Sequence, residues 1–383
     1  MYSIYIHIPF CRSRCIYCDF YSTTLGRDTM IAYARALEKE MCRRRHYINY
    51  IKCTRVHSLY IGGGTPSLLP KDVLEGIFSS VGQYFELDAD AEVTIEANPD
   101  DVTPEWLDGL SHTPVNRISM GAQTFNDRLL RFLSRRHDAS QTVNAVEACK
   151  EAGITNISLD LIYGLPGQTM NDWQSDVEQA ISLGITHLSA YALSYEEGTP
   201  LDKMLRRGDV EEADEELSRQ MYNHLIAATR QAGFLHYEIS NFALPGFHSR
   251  HNSSYWQGIP YLGLGAGAHS YDGFRSRRAN LPDIKAYIAA NSNVTNDERL
   301  LNDVPHEVEV LSDAELYDEF VMTRLRTSNG IPLDELSDDD RSYCLKQAEP
   351  HLAKHLLEVH NGHLCLTQEG IFTSNDIISD LMK

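Results

Sequence analysis

Hydrophobic positions up to about residue 240 fall into two kinds of stretch that alternate. Short runs rich in β-branched and aromatic residues recur at 4–8, 58–61, 92–96, 117–120, 157–161 and 187–192, with a further one near 237–239. Between them apolar residues recur at helical spacing, most clearly over 33–41, 73–78, 143–149, 173–181 and 217–229. Strand and helix patterns that alternate imply a parallel sheet with crossover helices. Six or seven strands fall short of an eight-unit barrel. The pattern therefore predicts an incomplete (β/α) barrel, with a doubly wound open sheet as the structural alternative. From Gly198 the pattern loosens. The acidic run from Asp209 to Glu216 reads as a solvated helix start, where carboxylates complement the helix dipole.

Breaker and polar residues interrupt the pattern between about Asn280 and Leu311, among them Asn291, Ser292, Asn293, Asn296 and Pro305. Beyond them, helices are expected over 316–325, 333–336, 343–357 and 371–382. A short strand over 363–367 is expected in a hairpin around Asn361 and Gly362. The chain is thus read as a partial barrel over 1–285 and a small, mainly helical domain over 286–383.

Composition narrows the class. A 383-residue chain can bury a large core, and 42% hydrophobic with 23% charged residues is ordinary for a soluble protein. A net charge of −20 argues against a primary nucleic-acid partner, because phosphate binding is driven by Lys and Arg. The basic run Arg43, Arg44, Arg45 reads as a solvated helix face. No apolar run is long enough to span a bilayer, so membrane contact would be peripheral. The start of the chain lacks the features of a signal peptide. A cytoplasmic location follows as the expectation, and there clustered cysteines read as metal ligands rather than disulfides. Cys42, Cys53, Cys149, Cys344 and Cys365 are scattered and read as small buried hydrophobes.

The remaining three cysteines, Cys11, Cys15 and Cys18, are spaced C-x3-C-x2-C. Thiolates suit iron–sulfur clusters, zinc or copper(I). A cubane cluster normally takes four cysteines, so three leave one iron open to a small molecule. Zinc would need a fourth ligand, and neither Asp19 nor His7 stands at a familiar zinc spacing. Other polar features gather at the carboxyl ends of the expected strands. The cysteine loop follows the first, and Gly62-Gly63-Gly64-Thr65-Pro66 follows the second. Glu96 closes the third, Gln123 follows the fourth, and Asp160 lies in the fifth. In barrel folds that rim carries the chemistry. The glycines would let backbone approach a ligand closely, although a tight turn explains them equally well.

The cysteine spacing with Tyr17 before the last thiol resembles the signature of the radical S-adenosylmethionine (SAM) superfamily. The preceding segment from Tyr5 to Cys11, YIHIPFC, is similar to the branch that holds oxygen-independent coproporphyrinogen III dehydrogenase (HemN) and the haem chaperone HemW. The resemblance implies a [4Fe–4S] cluster on Cys11, Cys15 and Cys18. It also implies SAM among Tyr5, Gly63, Gly64, Thr65 and Glu96, with Gln123, Arg135 and Asp160 at further SAM positions. The dehydrogenase carries one more cysteine two residues after the third; here that position is Phe20, the form typical of HemW.

A second stretch runs from His248 to Tyr271 and is rich in histidine, aromatics and glycine. Its H-N-x-x-Y-W, from His251 to Trp256, is similar to a HemW segment implicated in haem binding. That makes His251 the candidate haem ligand, with His248 and His269 in reserve. Gly263, Gly265 and Gly267 lack the strand–loop–helix context of a dinucleotide site and match the branch's GLGAGAHS segment near SAM. The resemblance thus implies a haem chaperone serving haem-recipient proteins, with the coproporphyrinogen III dehydrogenase as the alternative. The residues assign neither a particular recipient nor an oligomeric state.

Overall fold

The structure, a computed structural model, describes residues 1–47, 55–291 and 304–383; Cys53, Ser292, Asn293 and Asn296 lie outside them. Six β/α units open the chain. Their strands are β1 (Tyr2–Ile8), β2 (Arg55–Gly63), β3 (Glu86–Ala97), β4 (Arg117–Gln123), β5 (Asn156–Tyr163) and β6 (His187–Ala192). The helices between and after them are α1 (Arg27–Arg44), α2 (Lys71–Tyr84), α3 (Pro104–Leu110), α4 (Asp127–Phe132), α5 (Ala139–Glu151), α6 (Met170–Ser182), α7 (Pro200–Arg207) and α8 (Glu215–Gln231). β1 to β6 lie side by side in chain order and all parallel. A doubly wound sheet reverses its strand order at a switch point. This one does not reverse, and it does not close, so the fold is an incomplete (β/α) barrel.

The strand sequences explain why the sheet curls around a polar interior. Ile4, Ile6 and Ile8 of β1, Leu59 and Ile61 of β2, and Ile118, Met120 and Ala122 of β4 are almost wholly buried on the face that meets the helices. Each large apolar side chain so buried contributes about 1.5–3 kcal/mol. The intervening positions point the other way by the period of a strand. They are Ser3, Tyr5 and His7; Ser58 and Tyr60; Arg117, Ser119 and Gly121; Ser158 and Asp160; and His187, Ser189 and Tyr191. One face makes the core and the other lines the lumen.

The region after β6 departs from the expected pattern. The strand expected near 237–239 exists as β7 (Leu235–Glu238), but it pairs antiparallel with β8 (Asn241–Ala243), which in turn pairs antiparallel with β6. Two residues between β7 and β8 are too few for a parallel crossover. The acidic run belongs to a helix only from Glu215, with the Asp214 side chain capping Leu217 N–H. α9 (Arg250–Trp256) follows, then β9 (Tyr261–Leu264), which pairs parallel with β1 on its other side. β10 (His269–Tyr271), β11 (Ser276–Asn280) and β12 (His306–Val310) extend that edge antiparallel. Between the last two lies α10 (Ile284–Ala290), packed on α1.

A second, smaller core spans Tyr317 to Leu381. It is built by α11 (Asp313–Leu325), β13 (Ile331–Pro332), α12 (Asp338–Ala353), β14 (Leu357–His360), β15 (His363–Leu366), α13 (Gln368–Ile371) and α14 (Ser374–Leu381). The expected hairpin is present, with Asn361 and Gly362 both at positive φ, as a tight two-residue turn needs. The helix expected over 333–336 is instead a turn, in which Glu335 N–H donates to Pro332 O before Ser337 caps α12. The helix expected over 343–357 ends at Ala353, because Leu357 is drawn into β14. The last expected helix is split in two, α13 and α14, around Phe372 and Thr373.

Two surface readings are corrected. Arg44 is buried, not solvated: it pairs with the buried Glu40 at 3.1 Å and donates to Gly263 O and Ser270 Oγ. Of the scattered cysteines, Cys149 and Cys344 are buried, but Cys42 and Cys365 are half-exposed. No helix among the described residues is long and apolar enough to cross a membrane.

Candidate functional site

The carboxyl ends of β1 to β6 surround a cavity of about 490 Å³. Cys11, Cys15 and Cys18 form one wall, Gly63, Gly64 and Thr65 a second, and Glu96, Gln123, Arg135 and Asp160 face them. Of the SAM positions suggested by the sequence, only Tyr5 stands outside this lining. Its hydroxyl meets His7 Nδ1 at 2.9 Å, and its ring lies beside Tyr60.

The cysteine loop leaves β1 at Ile8 and is tied back by Cys11 N–H to Thr23 O and Thr23 N–H to Pro9 O. Gly64 lets the loop lie against β2. A Cβ there would sit 2.7 Å from Phe10 O, closer than real Cβ contacts come, and 3.0 Å from Cys11 Sγ. Two donors point at the sulfurs: Thr65 Oγ1 at 3.6 Å from Cys11 Sγ and Arg135 Nη1 at 3.5 Å from Cys15 Sγ. Donors of this kind stabilise thiolates. Burial pushes the Cys18 thiol up to about 11, with the neighbouring thiols adding to it. A bound metal centre reverses that balance by stabilising the anion. Among the described residues no three His, Cys, Asp or Glu side chains converge as ligands of one ion. Thiolates of a cubane bind three different irons and need not converge, so the wall fits a cluster as a donor set.

Across the cavity, Glu96 Oε1 accepts from Tyr60 OH at 2.8 Å and Oε2 accepts from Gly63 N–H at 2.9 Å. Burial nevertheless raises its pKa from 4.5 to about 7. Asp160 is raised by burial to about 6, against hydrogen bonds from Ser189 and Ser119 that lower it. Two carboxyl groups poised near neutrality suit a ligand that brings its own positive charge or donors. Arg135 donates to Gly121 O at 2.7 Å and to Asn98 Oδ1, so that one guanidinium links β3, β4 and the cysteine loop. Gln123 holds a left-handed backbone (φ 67°) at the end of β4.

The H-N-x-x-Y-W stretch is α9, and its first residues reach into the lumen. Asn252 lines the cavity. His251 is 2% exposed; its Nδ1 meets Ser58 Oγ at 3.1 Å and its Nε2 meets Tyr255 OH at 3.0 Å. Burial lowers its pKa to about 3. His251, the residue expected to ligate haem iron, thus has both ring nitrogens hydrogen-bonded to hydroxyl groups inside the barrel. Of the reserve histidines, His248 is half-buried and stacked on Tyr237 at 4.4 Å, whereas His269 is exposed. The GLGAG turn lies behind β1 rather than in the cavity lining: Gly265 N–H donates to Glu40, and Ala266 N–H to Tyr33 OH.

Sequence reasoning missed Tyr60, Asn98, Arg117, Ser119, Ser189 and Asn252, all of which line the cavity. The signal that finds most of them is the alternation within the strands. Ser58-Leu59-Tyr60 and Arg117-Ile118-Ser119 put a polar side chain at every second position of a strand that is otherwise apolar.

Comparison with known proteins places these features. Residues 5–180 match the radical SAM superfamily, and residues 311–373 match the HemN C-terminal domain. The chain is 37% identical to a protein of Lactococcus lactis named heme chaperone HemW, over 99% of this chain and 97% of that protein. It is 35% identical to one of the same name from Mycobacterium tuberculosis, over 100% and 95%. In fold it resembles the coproporphyrinogen III oxidase (HemN) of Escherichia coli, described as a radical SAM enzyme, with a TM-score of 0.83 at 23% identity over 100% of this chain and 90% of that one.

Proposed function

We propose that this chain, which belongs to the HemN/HemW branch of the radical SAM superfamily, is a haem-binding and delivery protein that retains a [4Fe–4S] cluster and a SAM site. The observation that carries the proposal is the full-length similarity to proteins named heme chaperone HemW. The cavity supports it. Phe20, at the position where the dehydrogenase has its extra cysteine, is an exposed apolar ring on the cavity lining (64% exposed). It offers a flat apolar contact, as a tetrapyrrole face requires.

In this reading Cys11, Cys15 and Cys18 hold the cluster, and when bound the cluster supplies the electron for SAM cleavage. The chain's own residues hold the ligand. Gly63, Gly64 and Thr65 present backbone and hydroxyl groups, Glu96 and Asp160 receive donors, and Arg135 braces the cysteine loop. His251, beside the cavity-lining Asn252, is the proposed imidazole for haem, with His248 and the exposed His269 in reserve. Transfer to recipient proteins, in the cytoplasm, completes the proposal.

The test is an anaerobic assay of reconstituted protein with SAM, reductant and coproporphyrinogen III, beside a known dehydrogenase. Haem binding without decarboxylation is expected. Catalytic conversion of propionates to vinyl groups would overturn the chaperone reading and establish the oxidase activity of the protein it resembles in fold.

A further inference from the structure

The cavity contains a cation with no hydrogen-bonded or ion-paired partner among the described residues. Arg117 is the first residue of β4, faces the lumen and is 2% exposed, yet it lines the cavity. Among the described residues its guanidinium makes no hydrogen bond or ion pair, and its Nε is buried without a partner. The other arginines of the lining each have a hydrogen-bonded or ion-paired partner, Arg14 in Ser22 Oγ at 3.1 Å. Arg135 is bonded to Gly121 O, Asn98 and Cys15. Arg136 bridges Asp100 at 3.0 Å and Asp101 at 2.8 Å. A buried charge left unpaired is costly, so the site is complete only with an anion.

The protein's own acids do not supply it. Glu96 and Asp160 share the cavity and feel its charge, which lowers both against the effect of burial, but neither comes close enough to form an ion pair or hydrogen bond with Arg117. The histidines whose pKa its charge helps to lower, His187 and His251, are neutral. Around the guanidinium the cavity offers further neutral hydrogen-bonding groups in Ser119, Ser189 and Asn252. A planar fork of donors among neutral polar groups matches a carboxylate.

We propose that Arg117 is the receptor for a carboxylate of the ligand that fills the cavity. Two ligands of the proposed function carry one, the methionine carboxylate of SAM and the propionates of a tetrapyrrole, and the proposal rests on that reading for both. Ser119, Ser189 and Asn252 complete the subsite around the carboxylate.

Four ligands in two pairs test this with cluster-reconstituted full-length protein kept anaerobic. SAM and decarboxylated SAM are compared by equilibrium dialysis, and haem and haem dimethyl ester by absorbance titration, on wild type, Arg117→Gln and Arg117→Lys. One acid is expected to lose about 10- to 100-fold in affinity in Arg117→Gln, as loss of a charged hydrogen bond implies. Arg117→Lys should retain part of it, and the matching carboxylate-free analogue should bind wild type and variant equally. Loss in the SAM pair identifies the methionine carboxylate; loss in the haem pair identifies a propionate. Equal affinities of wild type and Arg117→Gln for both acids, at matched iron content, would overturn the proposal. If wild type binds no haem, the haem function fails while the SAM pair still decides the role of Arg117. If Arg117→Gln does not fold, Arg117→Lys carries the comparison, and an unchanged affinity for both acids in it overturns the proposal.

Discussion

Replacing Glu96 by glutamine should stabilise the cluster-free protein at alkaline pH while weakening SAM binding. In the folded chain burial holds the Glu96 pKa near 7, whereas the unfolded chain titrates near 4.5. Between those values the folded state binds more protons than the unfolded state, so stability falls as pH rises through the window. The full shift corresponds to roughly 3 kcal/mol, and water in the cavity reduces it to about 2–3 kcal/mol. Glutamine has no such titration. Its oxygen can accept from Gly63 N–H and its amide can donate to the Tyr60 oxygen, keeping both contacts of the native carboxylate. Asp160, raised to about 6, titrates in both proteins and largely cancels from the difference. Urea unfolding of the two cluster-free proteins at pH 5 and pH 8 measures the effect. The variant should match wild type at pH 5 and exceed it by about 2–3 kcal/mol at pH 8. Anaerobic dialysis should show wild-type SAM affinity rising through pH 7 as Glu96 ionises, with no such rise in the variant. Parallel stability profiles for the two proteins would refute the assignment of a burial-raised acid.

Other expectations follow from the same geometry. Gly64→Ala places a Cβ against two backbone carbonyls and Cys11 Sγ, a clash worth about 1–3 kcal/mol; iron bound per chain after reconstitution should fall well below wild type, and full loading would contradict the tight approach. His251→Ala empties a buried site and leaves Ser58 and Tyr255 without a partner, costing about 2–4 kcal/mol in urea unfolding. Its haem affinity should fall while iron content stays at wild-type level, and an unchanged affinity would remove His251 from the ligand role. His269→Ala should leave both stability and haem binding by absorbance titration unchanged; a weakened haem complex would move the ligand role to His269. Arg135→Lys loses the fork that reaches Cys15 Sγ and Gly121 O together, so the cluster potential, followed by redox titration of its spectrum, should move to more negative values.

The divide between what was legible in the chain and what was not runs along the range of the interactions. Cys11, Cys15 and Cys18 lie within one loop, and Gly63 to Thr65 within another, so local spacing was enough to read them. The six parallel strands announced themselves because each carries its own burial signal. Sequence determined as well that Glu96 and Gln123 sit at strand ends and Asp160 within a strand, all toward one rim. Tertiary structure alone decided the rest. Whether His251 meets solvent or Ser58 depends on α9 entering the lumen, a contact across 193 residues of chain. Arg44 looked like one of three surface cations until Glu40, Gly263 and Ser270 enclosed it. Strands β9 to β12 gave weak signals because their pairing, not their propensity, defines them. Arg117 is the clearest case. Its place in a strand was readable, but that no carboxylate among the described residues pairs with it is a property of the cavity, where the charges of distant strands meet in a low dielectric.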